Sequence, residues 1–384
     1  GLPGSGHHLM FCCAACRARY AWGYLSHNCQ ACGDALDFVL EQVAFPRPAI
    51  GTGPPGMWRY TEALPVFDRP VTLGESFTPL VPCSIGPIEV LLKCEYALPT
   101  GSYKDRGSAL LISYLHALGV QEAVEDSSGN AGASLAAYAA RTGLRLKVFC
   151  PASASPGKLL QIRLYGAALV PVEGPRPRAT EALLEYVART GATYASHLWH
   201  PLFIEGVKTL AFEIAEQLSW AAPAAVLCPV GAGSILLGLH KGFGELCQAG
   251  IIPHLPRLVA VQAQHVSPLY QAFVRGDEEV ARAQNPQPTL AEGIALPAPV
   301  RGQALLKAIR ASGGTVVAVS EEEIAAGVLH FGRAGFCVEP TSAVVWAGVE
   351  RLVQQGQLPV EGPVVAVLSG HGLKAAQPIS QLLN

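Results

Sequence analysis

The sequence predicts an α/β protein: two parallel-sheet α/β domains with a ligand site between them, preceded by a small cysteine ribbon. Three observations carry this. Short apolar runs alternate with helical patterns from about Val90 to Thr190, and the same rhythm resumes after Glu205. Turns rich in glycine and serine follow several of the runs where a strand would meet a helix. Near the start, four cysteines keep the spacing Cys13-x-x-Cys16 and Cys29-x-x-Cys32, with twelve residues between the pairs.

The first residues, Gly1 to Leu9, include Gly1-Leu2-Pro3-Gly4-Ser5-Gly6-His7-His8. They read as an expression-tag remnant before a natural start at Met10, which makes His7 and His8 poor ligand candidates. The paired Cys-x-x-Cys knuckles, with Gly33 after the second, can close a tetrahedral thiolate site around zinc through Cys13, Cys16, Cys29 and Cys32. Tyr20, Trp22 and Tyr24 between them are too few for a core, so metal is expected to supply most of the folding energy of this module. Chelation is then expected to lower thermal stability without disturbing the rest of the chain. Cys83, Cys94, Cys150, Cys228, Cys247 and Cys337 fall mostly in apolar stretches and read as core residues.

From Phe45 to Gly56 the chain is rich in Pro and Gly, a connecting arm. Beyond it the pattern reads strand Val90 to Cys94, helix Gly107 to Leu118, helix Ala131 to Arg141, strand Arg145 to Cys150. Helix Gly157 to Tyr165, strand Ala168 to Val172 and helix Ala179 to Thr190 follow. Further apolar strands centre near Ala225, Leu258, Thr315 and Val364. The division is a ribbon over 10–40, a linker and the first part of the large domain over 41–100, a small α/β domain over 101–195, and a large cofactor-binding domain over 196–384.

Four segments carry chemistry. Lys104, in Thr100-Gly101-Ser102-Tyr103-Lys104-Asp105-Arg106-Gly107, is a lysine at a Gly/Ser turn opening an apolar helix, where an amine can anchor an aldehyde cofactor. Alone it reads more readily as a solvated first-turn charge; the other segments reverse that. Ser127-Ser128-Gly129-Asn130-Ala131-Gly132 precedes an alanine-rich helix, and its small residues let N–H groups and the Asn130 amide face an anion or a ring hydroxyl. Pro229-Val230-Gly231-Ala232-Gly233-Ser234 follows an apolar run; its glycines permit close approach of backbone to a phosphate. It is neither a Walker A loop nor a dinucleotide fingerprint. Val364 to Leu368 ends in Ser369-Gly370-His371-Gly372, and a neutral hydroxyl facing a pyridine nitrogen would leave that nitrogen unprotonated.

Together with Glu205-Gly206-Val207-Lys208-Thr209 and Glu339-Pro340-Thr341-Ser342-Ala343, these motifs occur in an order that resembles threonine synthase and its close relatives among the fold-type II pyridoxal phosphate enzymes. The resemblance spans roughly Cys13 to Lys374. It implies Lys104 as the catalytic Schiff-base lysine, with Ser102, Asn130, Gly231, Ala232, Gly233, Ser234 and Ser369 around pyridoxal 5'-phosphate. It implies Ser127, Ser128, Gly129, Ala131 and Arg163 beside the substrate. It also implies a lyase that turns O-phospho-L-homoserine and water into L-threonine and phosphate, with Lys104 shuttling protons.

The chain departs from that pattern where threonine synthase often has a threonine and an Asn-Phe-Asp segment. Here stand Ala131 and Gly174-Pro175-Arg176-Pro177-Arg178. Either Arg176 or Arg178 rebuilds an anion site, or the leaving group differs; Lys158, Arg163 and Lys208 are further cations. A serine/threonine dehydratase or a cysteate-synthase-like enzyme is therefore the alternative. A third reading, a ribbon that binds nucleic acid or protein, is disfavoured because the ribbon has only Arg17 and Arg19 as basic residues.

Composition excludes more than it assigns. With 384 residues, half hydrophobic, 15% charged and a net charge of -2, the chain can bury a large core but offers no basic surface for nucleic acid. No apolar stretch of about 18 residues and no signal segment is present, so no membrane span is expected. The expectation is a soluble, cytoplasmic enzyme with a small-molecule amino-acid substrate, compatible with a homodimer.

Overall fold

A computed structural model of the chain describes residues 10–384, so the tag-like start lies outside the described residues. Along the chain run β1 (Met10–Cys13), β2 (Arg19–Ala21), β3 (Leu36–Val39), α1 (Arg47–Thr52), β4 (Leu80–Ile85), β5 (Ile88–Cys94) and α2 (Lys104–Ala117). Next come β6 (Glu122–Glu125), α3 (Asn130–Thr142), β7 (Arg145–Pro151), α4 (Pro156–Leu164), β8 (Ala168–Val172), α5 (Arg176–Thr190) and β9 (Thr193–Tyr194). The remainder is α6 (Pro201–Val207), α7 (Thr209–Gln217), β10 (Ala225–Pro229), α8 (Ser234–Gln248), β11 (Arg257–Ala263), α9 (Pro268–Arg275), α10 (Gly302–Ala311), β12 (Thr315–Val319), α11 (Glu321–Arg333), α12 (Pro340–Gln354), β13 (Val364–Leu368) and α13 (Ala376–Leu382).

The chain folds as two compact units. The first takes the residues through Glu75 together with Lys104–Val207; the second takes Ser76–Tyr103 with Lys208–Asn384. In the first unit a parallel sheet runs in the order β8-β7-β6-β9, beside the antiparallel ribbon β2-β1-β3. In the second, a six-stranded sheet runs β12-β11-β10-β13-β5-β4, parallel except for β4 at its edge. This is the α/β class expected from the strand and helix rhythm.

Burial explains why the second unit's strands were easy to read. Val364–Leu368 and Ala225–Pro229 are buried throughout, as central parallel strands covered on both faces must be. The first unit hides two strands the sequence reading missed. Glu122–Glu125 begins and ends in glutamate, and Thr193–Tyr194 is only two residues long, so neither shows an apolar run.

Glu213, a few residues beyond the Glu205–Thr209 motif, is structural. Lys93 of β5 meets Glu213 of α7 at 2.7 Å, both side chains at 0% exposure, and its ammonium also donates to the Thr78 carbonyl and to Gln217. A buried pair survives only when such extra hydrogen bonds satisfy it.

The ribbon is not a free-standing module. Phe11 and Trp22 pack edge-on against Tyr114 of α2, whose hydroxyl accepts from the Gly23 N–H and donates to the Tyr24 carbonyl at 2.6 Å. Among the other cysteines, Cys94, Cys150 and Cys228 are buried as expected. Cys83 and Cys247 are only half-buried and Cys337 is exposed, because Cys337 lies in the loop before α12 rather than in a strand.

Candidate active site

In the first unit Lys104 is the opening residue of α2, one turn earlier than the apolar pattern suggested. Its Nζ lies 5.6 Å from the ring centroid of Phe203, within cation–π range. Two glycines let α6 close on this turn. A methyl at Gly107 would stand 2.6 Å from the Phe203 ring, and one at Gly206 would stand 2.0 Å from the Arg106 carbonyl oxygen. Asp105 accepts from Ser134 of α3 at 2.6 Å, and Ser134 also bonds Ser108, so the Lys104 turn is tied to the helix that starts at Asn130. Gly206→Ala is expected to push the turn aside, costing roughly 1–3 kcal/mol of stability and weakening cofactor loading. Gly244→Ala, where an added methyl meets nothing within 4 Å, is the control; thermal midpoints and cofactor absorbance of the two variants check this.

Asn130 is the first residue of α3 and follows the turn Ser127-Ser128-Gly129. Ser127 is buried and accepts the Gly129 N–H, while a methyl at Gly132 would sit 1.9 Å from the Ser127 carbonyl oxygen. Ser128 is half-buried, Gly129 exposed and Ala131 buried. Arg163 is exposed in the last turn of α4. Arg178 is tied to Glu181 as an ion pair, and Lys158 is exposed.

The strand ends of this unit bring together residues that motif reading missed. Glu125 closes β6 with no exposure; its carboxylate accepts the Asp126 N–H at 2.8 Å and the His197 N–H at 3.3 Å, and lies 3.2 Å from His197 Nδ1. Asp126 accepts from Tyr194 and from Thr180 of α5, both at 2.7 Å. Burial pushes Glu125 up, and burial with the neighbouring Glu125 charge raises Asp126 to about 6. Burial, then the Lys104 charge, holds His197 well below the usual imidazole range. The only sequence signal was the Glu125-Asp126 pair standing directly before the Ser127–Asn130 turn.

In the second unit three adjacent strands end close together. β10 runs into Gly231-Ala232-Gly233 and then α8, with Gly233 in the left-handed region at φ 86 and Ser234 opening the helix. A methyl at Gly231 would stand 2.7 Å from Ile294 Cα, and one at Gly233 would stand 2.2 Å from Leu305. The first N–H groups of a helix have no intrahelical partner, so this bare loop is a suitable cradle for a phosphate. β13 is followed directly by Ser369, which is buried with its hydroxyl 2.8 Å from that of Ser342. β5 leads to Gly101-Ser102-Tyr103, which joins both neighbours: Ser102 bridges Gly370, the Tyr103 N–H donates to the Ser369 carbonyl, and the Tyr103 hydroxyl lies 2.6 Å from that of Ser234. Lys208 is buried against Glu245 at 2.5 Å, a packing pair rather than an open cation.

The cysteine quartet comes together. The sulfurs of Cys13, Cys16, Cys29 and Cys32 lie within 4.8 Å of one another, with Cys13–Cys32 at 3.5 Å and Cys16–Cys29 at 3.6 Å. A tetrahedron with metal–sulfur bonds of about 2.3 Å has edges near that length. The Tyr20 hydroxyl, 3.1 Å from Cys29 Sγ, pulls that thiol down to about 6 and favours the ligating thiolate.

Comparison with known proteins gives the family and the fold. The family model described as pyridoxal-phosphate dependent enzyme matches residues 71–370. The chain is 35% identical to the threonine synthase of Methanocaldococcus jannaschii, covering 94% of this chain and 92% of that protein. It is 34% identical to the threonine synthase of Mycobacterium tuberculosis, covering 82% and 87%. Among solved structures, a threonine deaminase from T.th. aligns with a TM-score of 0.65 at 27% identity over 77% of this chain and 92% of that one. A pyridoxal 5'-phosphate-dependent aspartate racemase shares the fold, with a TM-score of 0.68 at 22% identity over 78% of this chain and 92% of that one.

Proposed function

Because the chain belongs to the pyridoxal-phosphate dependent enzyme family and is a threonine synthase-like lyase, we propose that it converts O-phospho-L-homoserine and water to L-threonine and phosphate. The observation that carries the site assignment is the Tyr103 network, which ties the residue before Lys104 to both Ser234 and Ser369. Pyridoxal phosphate, when bound, supplies the electron sink for a carbanion beside the substrate nitrogen. Lys104 would anchor the cofactor aldehyde and, once released, move protons at Cα and Cβ. Gly231, Ala232, Gly233 and Ser234 would hold the cofactor phosphate by N–H groups and a hydroxyl, Asn130 would face the ring hydroxyl, and Ser369 the ring nitrogen. Ser102 supports that arrangement through its backbone bridge. Ser127, Ser128, Gly129 and Ala131 would border the substrate, with Arg163, exposed in the last turn of α4, as a further cation. Zinc fits the quartet Cys13, Cys16, Cys29 and Cys32.

The test is product identity: threonine with phosphate from O-phosphohomoserine supports the reading, whereas keto acid and ammonia from serine, threonine or phosphoserine, with no threonine formed, rejects it. The second outcome is the dehydratase reading. Its support is the Glu125-Asp126 pair beside the Ser127–Asn130 turn, an acidic surrounding unlike a phosphate pocket.

Of the two arginines in the 174–178 segment, Arg176 carries the phosphate reading. Arg178 is already paired with Glu181, whereas the charge of Arg176, at the start of α5, reaches His197 at the strand ends. Arg176→Ala is expected to lower kcat/KM for O-phosphohomoserine by about tenfold or more, the worth of a charge-assisted hydrogen bond. Arg178→Ala should leave it near wild type, and steady-state kinetics on both variants decides.

A further inference from the structure

One motif of the chain, Glu339-Pro340-Thr341-Ser342-Ala343, has no part in the function described above, and the second unit gives it one. Pro340 opens α12 directly after an extended Glu339, so Thr341 and Ser342 stand in the first turn of that helix. The Thr341 hydroxyl accepts the Gly293 N–H at 2.9 Å, next to Ile294, which closes on Gly231 of the phosphate loop. Ser342 instead bonds the segment that follows β13. Ser342 has no exposure and Ser369 only 3%, so water does not compete for either hydroxyl.

Counting protons gives these bonds a direction. Ser342 Oγ accepts the Gly370 N–H at 2.8 Å, and its single proton has two acceptors in reach: Ser369 Oγ at 2.8 Å and the Gly370 carbonyl at 3.3 Å. The first distance is that of a good O–H···O bond and the second lies outside the usual span of roughly 2.5–3.0 Å. The Gly370 carbonyl is also served already, by the Glu339 N–H at 3.1 Å. Ser342 is the one partner of the Ser369 hydroxyl among the described residues. Ser342 therefore donates to Ser369, and the proton of Ser369 is left for whatever lies beyond it.

We propose that Ser342 is a positioning residue that fixes Ser369 as a hydrogen-bond donor to the ring nitrogen of pyridoxal phosphate. With its lone pair occupied by the Ser342 proton, the Ser369 hydroxyl can only give, and a nitrogen can receive from it only if it carries no proton of its own. The opposite direction, from Ser369 to Ser342 to the Gly370 carbonyl, would offer the nitrogen a lone pair and require a pyridinium. Without Ser342 the Ser369 hydroxyl is free to take any of its staggered positions. A donated hydrogen bond in place of a full proton leaves the ring a weaker electron sink than a pyridinium.

Apoprotein is titrated with pyridoxal 5'-phosphate isotopically labelled at its ring nitrogen, which gives both a Kd and the magnetic resonance of that nitrogen. In wild type the resonance is expected at the position of an unprotonated, hydrogen-bonded pyridine. A resonance in the pyridinium range overturns the proposal, and this measurement needs no variant to fold. Because Ser342 acts through Ser369, and Ser369 is placed at the ring nitrogen by the function proposed above, Ser369→Ala is read next. It should weaken cofactor binding and move the resonance to that of a pyridine without a donor; if neither changes, it is the placement of Ser369 that fails. Ser342→Ala should raise Kd by about fivefold, the worth of one hydrogen bond, and move the resonance part of the way in the same direction. Introduced into Ser369→Ala, it should change Kd by less than about twofold and leave the resonance where it was, because residues that act as a unit are not additive. Equal losses in the two backgrounds would mean that Ser342 only holds the Gly370 N–H, and that result, or no loss in either background, overturns the proposal.

Discussion

Lys104→Ala abolishes the borohydride-sensitive absorbance band and reduces turnover by about 10²–10⁴-fold or more, the range for loss of a general acid–base group. The reasoning begins with the helix. Lys104 is the first residue of α2, and Tyr103 before it is bonded to Ser369 and Ser234, so the backbone delivering the amine is held by the same two segments that would grip the cofactor ring and phosphate. Alanine is the best helix former and disturbs none of these bonds, so the fold should persist with a thermal midpoint near wild type. The loss is thus chemical. Lys104→Arg sharpens the result, because it keeps a cation near Phe203 but cannot condense with an aldehyde at neutral pH. Retention of the band in Lys104→Ala would overturn the assignment, and borohydride reduction followed by peptide mapping would then identify the lysine that carries it.

How much of this was legible in the sequence depended on burial and on range. β10 and β13 were readable because each is wholly buried and wholly apolar, whereas the half-exposed edge strand β4 was not read, and the glycine loop was readable because close approach of Ile294 and Leu305 leaves no room for a side chain at Gly231 or Gly233. β6 was not readable: its two glutamates serve partners far away in sequence, Tyr186 for Glu122 and His197 for Glu125. The same long range hid the Glu125–His197 contact, since nothing near His197 in the chain announces a carboxylate 72 positions earlier. Lys208 erred in the other direction. It looked like an available cation, yet it is consumed by Glu245, one helix further on. The ribbon's spacing was legible, but its packing on α2 was not, because Tyr114 reads as one more apolar position of that helix.

That packing sets the last expectation, and it differs from the modular behaviour inferred from the spacing alone. Stripping metal with a chelator, or Cys29→Ser, should lower the thermal midpoint by on the order of 5–10 °C and also perturb the cofactor band. Without metal the knuckles lose the bonds that set Gly33 and Arg17 in left-handed turns behind Cys29 and Cys13, and so small a module has no other core to hold them. The cost then reaches the first unit. Tyr114 would lose both the Gly23 N–H and the Tyr24 carbonyl from a fully buried hydroxyl, at about 1–3 kcal/mol. Phe11, packed against Tyr114 and His200, would come out of its contacts, a loss comparable to the roughly 3–5 kcal/mol of deleting a core phenylalanine. For a chain of 384 residues the unfolding entropy makes each kcal/mol worth only about 1.2 °C, and the sum gives the shift stated. Because Tyr114 and Lys104 belong to one helix, loosening one end loosens the amine at the other. Metal content by atomic spectroscopy, thermal midpoint and absorbance should therefore fall together and return together when zinc is restored. A metal-free Cys29→Ser protein with an unchanged midpoint and band would show that packing on α2 alone holds the ribbon.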